Sequence, residues 1–478
     1  MDALKAAALR GADRAGVAVL AIVTLVLGGI GAPLLRTTVN AGADDASWTA
    51  YPPMTLPRAW PEVVVLPDGN IFVTGGYSTF GPTATTEIFD VDDGLWKAGP
   101  TMAVKRVGHT ATLLGDGKVL VTGGETGSGT TDRVELIDVA GGISYMLPDM
   151  TFSRSGHAAV ALQDGRVLVT GGTDYIHGSW SQAEMYDPES HLWTPAGTMN
   201  HPRVFLTIQL LDSGDAIAIG GDTEGTSEQY DPSSGGWHGV RDMNAERINS
   251  ASIVTKSGHV LVAGGGDSGG ARASTEMYDP NSMAWFPAGS MLTPRAHFTL
   301  SLLSDGRIMA AGSWTEDEGT TSTAELFCQC TMGWTATASM AKSRGAHGAA
   351  ELPDGNLLMI GGRRGDSILS STEMYTPPTT EPPPPYCQPK DILPFVAAVE
   401  SQMPGYSFHG LVSKILVAQT YYDDGLIEDC LHLLDAFYNE VTAFLHNKHV
   451  DEEGISSLYA AYASVVVCLG GTPLPEIP

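Results

Sequence analysis

The sequence predicts an all-β, seven-bladed propeller closed by an N-terminal strand, followed by a small α-helical bundle. Three observations predict it. A Met is followed four residues later by an Arg seven times: Met54/Arg58, Met102/Arg106, Met150/Arg154, Met199/Arg203, Met243/Arg247, Met291/Arg295 and Met340/Arg344. That period marks an array of small units, none of which can bury its apolar face alone. Each unit carries four short strand signals separated by turn residues, the pattern of a propeller blade. Beyond the last unit the apolar period changes from 2 to about 3.6, which is helical.

The chain opens with Lys5, Arg10 and Arg14 ahead of an apolar run from Ala15 to Leu35. This run is longer than an ordinary signal core and close to a spanning helix. Ala41-Gly42-Ala43 offers small residues for cleavage. Residues 1–44 are therefore expected to be a signal peptide or an N-terminal membrane anchor. Both put the remainder outside the cytoplasm: secreted, periplasmic or held on the outer face of the membrane.

The third unit shows the blade plan. Arg154-Ser155-Gly156-His157 leads into the apolar run Ala158–Leu162; Asp164-Gly165 is a hairpin turn; Arg166–Thr170 is a second strand ended by Gly171-Gly172. Ala183–Tyr186 is a third strand, Asp187-Pro188 a turn, and Trp193 marks a fourth. The Gly-Gly pair recurs in every unit but the sixth, which has Gly312-Ser313. A Trp stands six residues before the Met in six of the seven units. The seventh unit runs from Tyr375 into Thr376-Pro377-Pro378 with no Trp of its own, whereas Trp48 precedes the first unit without strands to join. The strand around Trp48 should therefore complete blade seven and remove the free sheet edges.

The Gly-Gly, Glu-x-Tyr-Asp and Trp marks resemble the kelch-repeat family, in a bacterial form close to the central domain of galactose oxidase-like proteins. The resemblance covers roughly residues 46 to 380. The expected divisions are thus 1–44, a propeller over 45–377, a proline-rich linker over 378–388 and a helical domain over 389–478. Gly410–Lys414, Leu434–Phe437 and Val441 give that last domain a resemblance to a helical module appended to many exported bacterial proteins.

Seven Arg (Arg58, Arg106, Arg154, Arg203, Arg247, Arg295, Arg344) and seven Glu (Glu87, Glu135, Glu184, Glu228, Glu276, Glu325, Glu373) recur inside apolar strands. A buried lone charge is costly, so they are expected to pair. Arg opens the first strand and Glu the third, about 9.6 Å apart and within reach of two long side chains. The expectation is a ring of structural ion pairs, within blades or bridging them. His109, His157, His297 and His347 follow the Arg by two or three residues. They either ring the central channel as metal ligands or hydrogen-bond neighbouring backbone.

One face of such a ring holds the tight Asp-Gly and Asp-Pro turns. The other holds variable loops, where function usually sits on a rigid scaffold. That loop face collects Trp60, Tyr77, Tyr175, Trp180, Trp314, Glu316, Asp317 and Arg363, together with Asp222. Aromatic platforms beside carboxylates suit sugars, cationic peptides or calcium.

Net charge is −28, from 26 Lys+Arg against 54 Asp+Glu, so nucleic acid is not an expected partner. Membrane contact would come only through an uncleaved N-terminal segment. Cys328, Cys330, Cys387, Cys430 and Cys468 show no zinc-site spacing, and their disulfide pairing stays open. No nucleophile–base pair or phosphate loop stands out, so a binding module for a glycan or protein partner is expected. The alternative is a carbohydrate-acting enzyme. A galactose oxidase-like copper radical oxidase would need copper held by Tyr and His, with a Tyr–Cys crosslink. A sugar mutarotase suits six blades better than seven. No cofactor is expected; the acidic loops suit calcium better than copper.

Overall fold

The computed structural model describes residues 46–377, except 268–269, 316–318 and 330–331. The expected leader (1–44), linker (378–388) and helical domain (389–478), with Glu316, Asp317, Cys330, Cys387, Cys430 and Cys468, lie outside the described residues. Among the described residues there are seven four-stranded antiparallel sheets, and no helix is long and apolar enough to cross a membrane.

Blade one comprises Glu62–Val65, Ile71–Thr74, Thr86–Asp90 and Leu95–Ala98. Blades two to six repeat this order along the chain. Blade seven takes Gly348–Glu351, Leu357–Ile360 and Thr372–Thr376 from the end of the propeller and Ser47–Tyr51 from its beginning. Trp48 stands opposite Tyr375 in that last pairing. The second strands are the most apolar (Ile71–Thr74, Val119–Thr122, Leu357–Ile360) and are wholly buried, because a blade's inner strands are covered on both faces by neighbouring blades.

The Trp signal belongs to a cross-strand pair. Trp48/Tyr375, Trp96/Phe89, Trp193/Tyr186, Trp237/Tyr230, Trp285/Tyr278 and Trp334/Phe327 have ring centroids 5.1 to 5.3 Å apart. Blade two replaces both members at once, with Ile137 opposite Ser144. The seven Met side chains are buried at the blade seams, each at most 6% exposed.

Each Arg–Glu pair lies within one blade. The seven distances are 2.9 Å (Arg58–Glu87), 2.9 Å (Arg106–Glu135), 3.0 Å (Arg154–Glu184), 2.9 Å (Arg203–Glu228), 2.9 Å (Arg247–Glu276), 2.6 Å (Arg295–Glu325) and 2.5 Å (Arg344–Glu373). All seven Arg are fully buried. Burial lowers the pKa of Arg58, and the hydrogen bond and charge of Glu87 oppose the shift. The pair also satisfies backbone. Arg58 donates to the carbonyls of Gly75 (2.9 Å) and Thr85 (2.8 Å), and Glu87 accepts from the N–H groups of Thr55 (2.6 Å) and Leu56 (3.1 Å). The pair therefore fastens the incoming link to the second and third strands. This answers the polar cost of a chain crossing inside the fold.

The Gly-Gly pair fastens one blade to the next. The second residue donates its N–H to the Arg carbonyl of the following blade: Gly76 to Arg106, Gly124 to Arg154, Gly172 to Arg203, Gly221 to Arg247, Gly265 to Arg295, Ser313 to Arg344 and Gly362 to Arg58, all at 2.8 to 3.0 Å. A Cβ on the first Gly of any pair would come within 2.8 Å of that same carbonyl, and the first Gly has positive φ throughout. Ser313 is tolerated because its φ is not positive, unlike that of the second Gly in the other six pairs, and its hydroxyl meets the N–H and carbonyl of Ala296.

Candidate functional site

The residue two after each Arg has left-handed backbone: Trp60, Gly108, Gly156, Phe205, Asn249, His297 and Ala346, with φ from 49° to 64°. These residues form a lip where the links enter the first strands. Six consecutive hydrogen bonds run head to tail around it. Trp60 donates to Ala346 (2.7 Å), Ala346 to His297 (2.8 Å), His297 to Asn249 (3.2 Å), Asn249 to Phe205 (3.2 Å), Phe205 to Gly156 (2.8 Å) and Gly156 to Gly108 (2.9 Å). Positive φ strains a non-glycine residue, and here the ring of hydrogen bonds holds it. The amino-acid types at this offset share nothing, so no residue pattern announces the lip in the sequence.

Small residues in blade seven let its neighbours close over it. A Cβ on Gly345 would collide with Trp314 of blade six, and Ala346 is buried beneath the crossing. Trp60 from blade one therefore reaches across to blade six. Its indole N–H donates to His297 Nδ1 at 3.3 Å, and its ring lies 5.9 Å from His297 and 5.8 Å from Trp314. His297 and Trp314 are 5.1 Å apart. Arg363, on a two-stranded hairpin of blade seven (Arg363–Arg364 with Ser367–Ile368), lays its guanidinium 4.3 Å from the Trp314 ring and 5.7 Å from the Trp60 ring. Burial and then the Arg363 charge push the His297 imidazole down to about 4, so it is neutral at physiological pH.

Trp60, Trp314 and Arg363 thus converge, and His297 joins them. His297 does not share the position of the other channel histidines: it follows its Arg by two residues and they follow theirs by three, which moves it from the channel wall to the lip. His109, His157 and His347 are buried at the blade seams. His157 Nε2 meets the hydroxyls of Thr110 (3.1 Å) and Thr122 (3.0 Å), and His347 Nε2 meets Thr299 (3.1 Å). Among the described residues no three His, Cys, Asp or Glu side chains converge as a metal site.

The remaining loop-face aromatics sit elsewhere. Trp180 in blade three packs on Phe152 at 4.8 Å and donates to the Ser153 carbonyl, while Tyr175 beside it is 59% exposed. Tyr77 is exposed beside Ala59, with which it pairs through backbone. Asp222 is not a loop-face ligand. It is buried against Arg203 at 3.0 Å as a second carboxylate, because blade four has the shortest Arg-to-Glu stretch. A cavity of about 400 Å³ lies on the tight-turn face, between blades one and two. Its acids Asp68, Asp116 and Asp138 cap their own turns, accepting from the N–H groups of Asn70, Lys118 and Gly141.

A family profile for the Kelch motif matches residues 154–200, the third unit. No curated protein sequence matches the chain. Among solved structures, a novel fungal alcohol oxidase of the AA5 family, in complex with copper, superposes with a TM-score of 0.57 at 19% identity, over 70% of this chain and 76% of that one. At that identity the likeness concerns the fold alone. Copper chemistry of the galactose oxidase kind would require Tyr and His ligands with a Tyr–Cys crosslink. Among the described residues, His157 and His347 are engaged by Thr hydroxyls, and Cys328 is disulfide-bonded rather than free for such a crosslink. The chain is a seven-bladed β-propeller, similar in fold to a galactose oxidase-family protein, with a Kelch motif in its third blade.

Proposed function

We propose that this propeller is a recognition module, and that its ligand, a glycan or a protein segment, docks on the lip where blades six, seven and one meet. One observation carries the reading: Trp60, Trp314 and Arg363 come from three different blades and make one aromatic and cationic surface on the variable face. Aromatic rings give contact area at low entropic cost, and a rigid ring of blades holds them in place. Export through the segment 1–44 belongs to the same proposal, since it would bring this face to extracellular ligands. Probing the purified chain on glycan and peptide arrays tests the reading. Selective binding to a related set of structures is expected, and silence on both arrays would overturn it.

The fold likeness to a copper alcohol oxidase supports an enzymatic alternative. Elemental analysis of the protein, refolded or expressed with copper present, separates the two. Stoichiometric copper would favour the oxidase, and its absence would favour recognition.

A further inference from the structure

We infer that the lip site takes a carboxylate-bearing sugar, a glycan whose terminal residue is a uronic acid. This rests on the recognition reading above and adds the ligand's chemistry to it.

Arg363 is the cation of the cluster. Its guanidinium carbon lies over the Trp314 ring at 4.3 Å from the ring centre, with the Trp60 ring at 5.7 Å. Its Nε donates to the carbonyl of Gly365 at 3.1 Å, which fixes the turn of the side chain. Among the described residues, neither terminal nitrogen has an acceptor. A guanidinium held over a ring and anchored through Nε presents its two terminal nitrogens as a pre-set fork. The partner that matches such a fork is a planar carboxylate taken through two parallel hydrogen bonds.

The rest of the cluster is suited to a sugar ring rather than to a bare anion. The indoles of Trp60 and Trp314 stand edge to face, with an interplanar angle of 89°, and offer an apolar wall next to the fork. His297 accepts the Trp60 indole N–H at Nδ1, so its proton is on Nε2, a donor for a hydroxyl. One fork, one apolar wall and one neutral donor fit a ring that carries a carboxylate and hydroxyls.

The strongly acidic chain does not oppose this. Charges beyond a Debye length, about 8 Å at physiological salt, are screened. On the same hairpin Arg364 is exposed, and the exposed Asp366 sits at the turn. A single carboxylate needs only the Arg363 fork, whereas the many carboxylates of a polyuronate would be repelled by a chain of net charge −28. The site is accordingly for a terminal residue.

Calorimetric titration of the intact chain with a glucuronate-terminated disaccharide, and with the same disaccharide after its carboxyl is reduced to the alcohol, tests the inference. The acid form is expected to bind at least about tenfold more tightly, the worth of a charge-assisted pair. Arg363→Gln should erase that preference, and Arg363→Lys should recover only part of it, since an ammonium has no fork. Arg363 is part-exposed on a hairpin, so both variants should fold, as unchanged melting would verify. Equal binding of acid and alcohol, with Arg363→Gln silent and Trp314→Ala disruptive, would overturn the carboxylate and leave the recognition site standing. Binding of neither sugar would overturn the inference outright, and arrays silent for all glycans and peptides would remove the recognition reading with it.

Discussion

Gly362 donates its backbone N–H to the carbonyl of Arg58 at 2.8 Å, across a sequence separation that makes it the last of seven equivalent latches. The other six join consecutive blades, and this one joins the end of the propeller to its beginning. Together with the pairing of Trp48 opposite Tyr375, it closes the ring twice, once at the inner edge and once at the outer. Closure brings blade one beside blade seven, and so Trp60 to Trp314.

The latch explains which glycines cannot change. Gly220→Ala would press a methyl on the Arg247 carbonyl in left-handed backbone, whereas a Cβ at Gly165, also at positive φ, meets nothing within 4 Å. Gly165→Ala should cost about 1–2 kcal/mol for backbone conformation alone. Gly220→Ala should cost about 2–3 kcal/mol more, the scale of overpacking in a close-packed interior. Urea midpoints of the two variants check the difference.

Removing one member of a buried ion pair leaves the other uncompensated. Glu135→Ala should destabilise by about 3–5 kcal/mol. The double variant Arg106→Met with Glu135→Leu should not recover the loss. Ala103 and Val104 donate N–H groups to Glu135, and Gly123 and Arg133 offer carbonyls to Arg106, so all four would be orphaned. Denaturant unfolding of the three variants would show it, and full recovery in the double variant would contradict the role assigned to the pair.

Two buried histidines and a half-buried carboxylate set opposite pH limbs. His109 and His347 are pushed down to about 3, chiefly by burial and then by Arg charges. A His whose folded pKa is depressed stays neutral while the unfolded chain takes up protons. Stability is therefore full above the ordinary His value and falls as pH drops from about 6.5 toward 3. Glu62, at the start of the first strand of blade one, is raised by burial to about 8. Its contribution is full below the ordinary carboxylate value and is lost as pH rises through 8. Melting should peak between the limbs, and Glu62→Gln should flatten the alkaline one without touching the acid one.

Trp48 tests the closing strand. Its indole N–H donates to the Ala338 carbonyl at 2.7 Å and its ring lies 5.1 Å from Tyr375. Trp48→Ala should cost about 2 kcal/mol, below the ~3–5 kcal/mol of a fully buried large aromatic because the ring is only half-buried. Deleting residues 1–51 should do worse: the strand Thr372–Thr376 becomes an open edge, and the protein should self-associate on light scattering.

The repeat made the fold legible. Arg and the first Gly of its blade are 17 residues apart in all seven units. That constancy marks the built part of the blade, while the stretch from Gly-Gly to Glu varies and marks the loops. Closure was legible too, because Trp48 lacked a blade and blade seven lacked a Trp. The site was legible only in its membership. Trp60, Trp314 and Arg363 stand out as loop-face residues, but their meeting depends on two small residues, Gly345 and Ala346, that carry no chemistry of their own. His297 was hidden by one residue of register, since a shift of one changes the face on which a side chain emerges.

Two double variants compared on the same glycan array test the lip most directly. Trp60→Ala with Trp314→Ala strips the lip between blades six and one, and Tyr175→Ala with Trp180→Ala strips the aromatic pair of blade three. The account predicts that the first abolishes the array signal and the second leaves it. Loss with the second and retention with the first would contradict it.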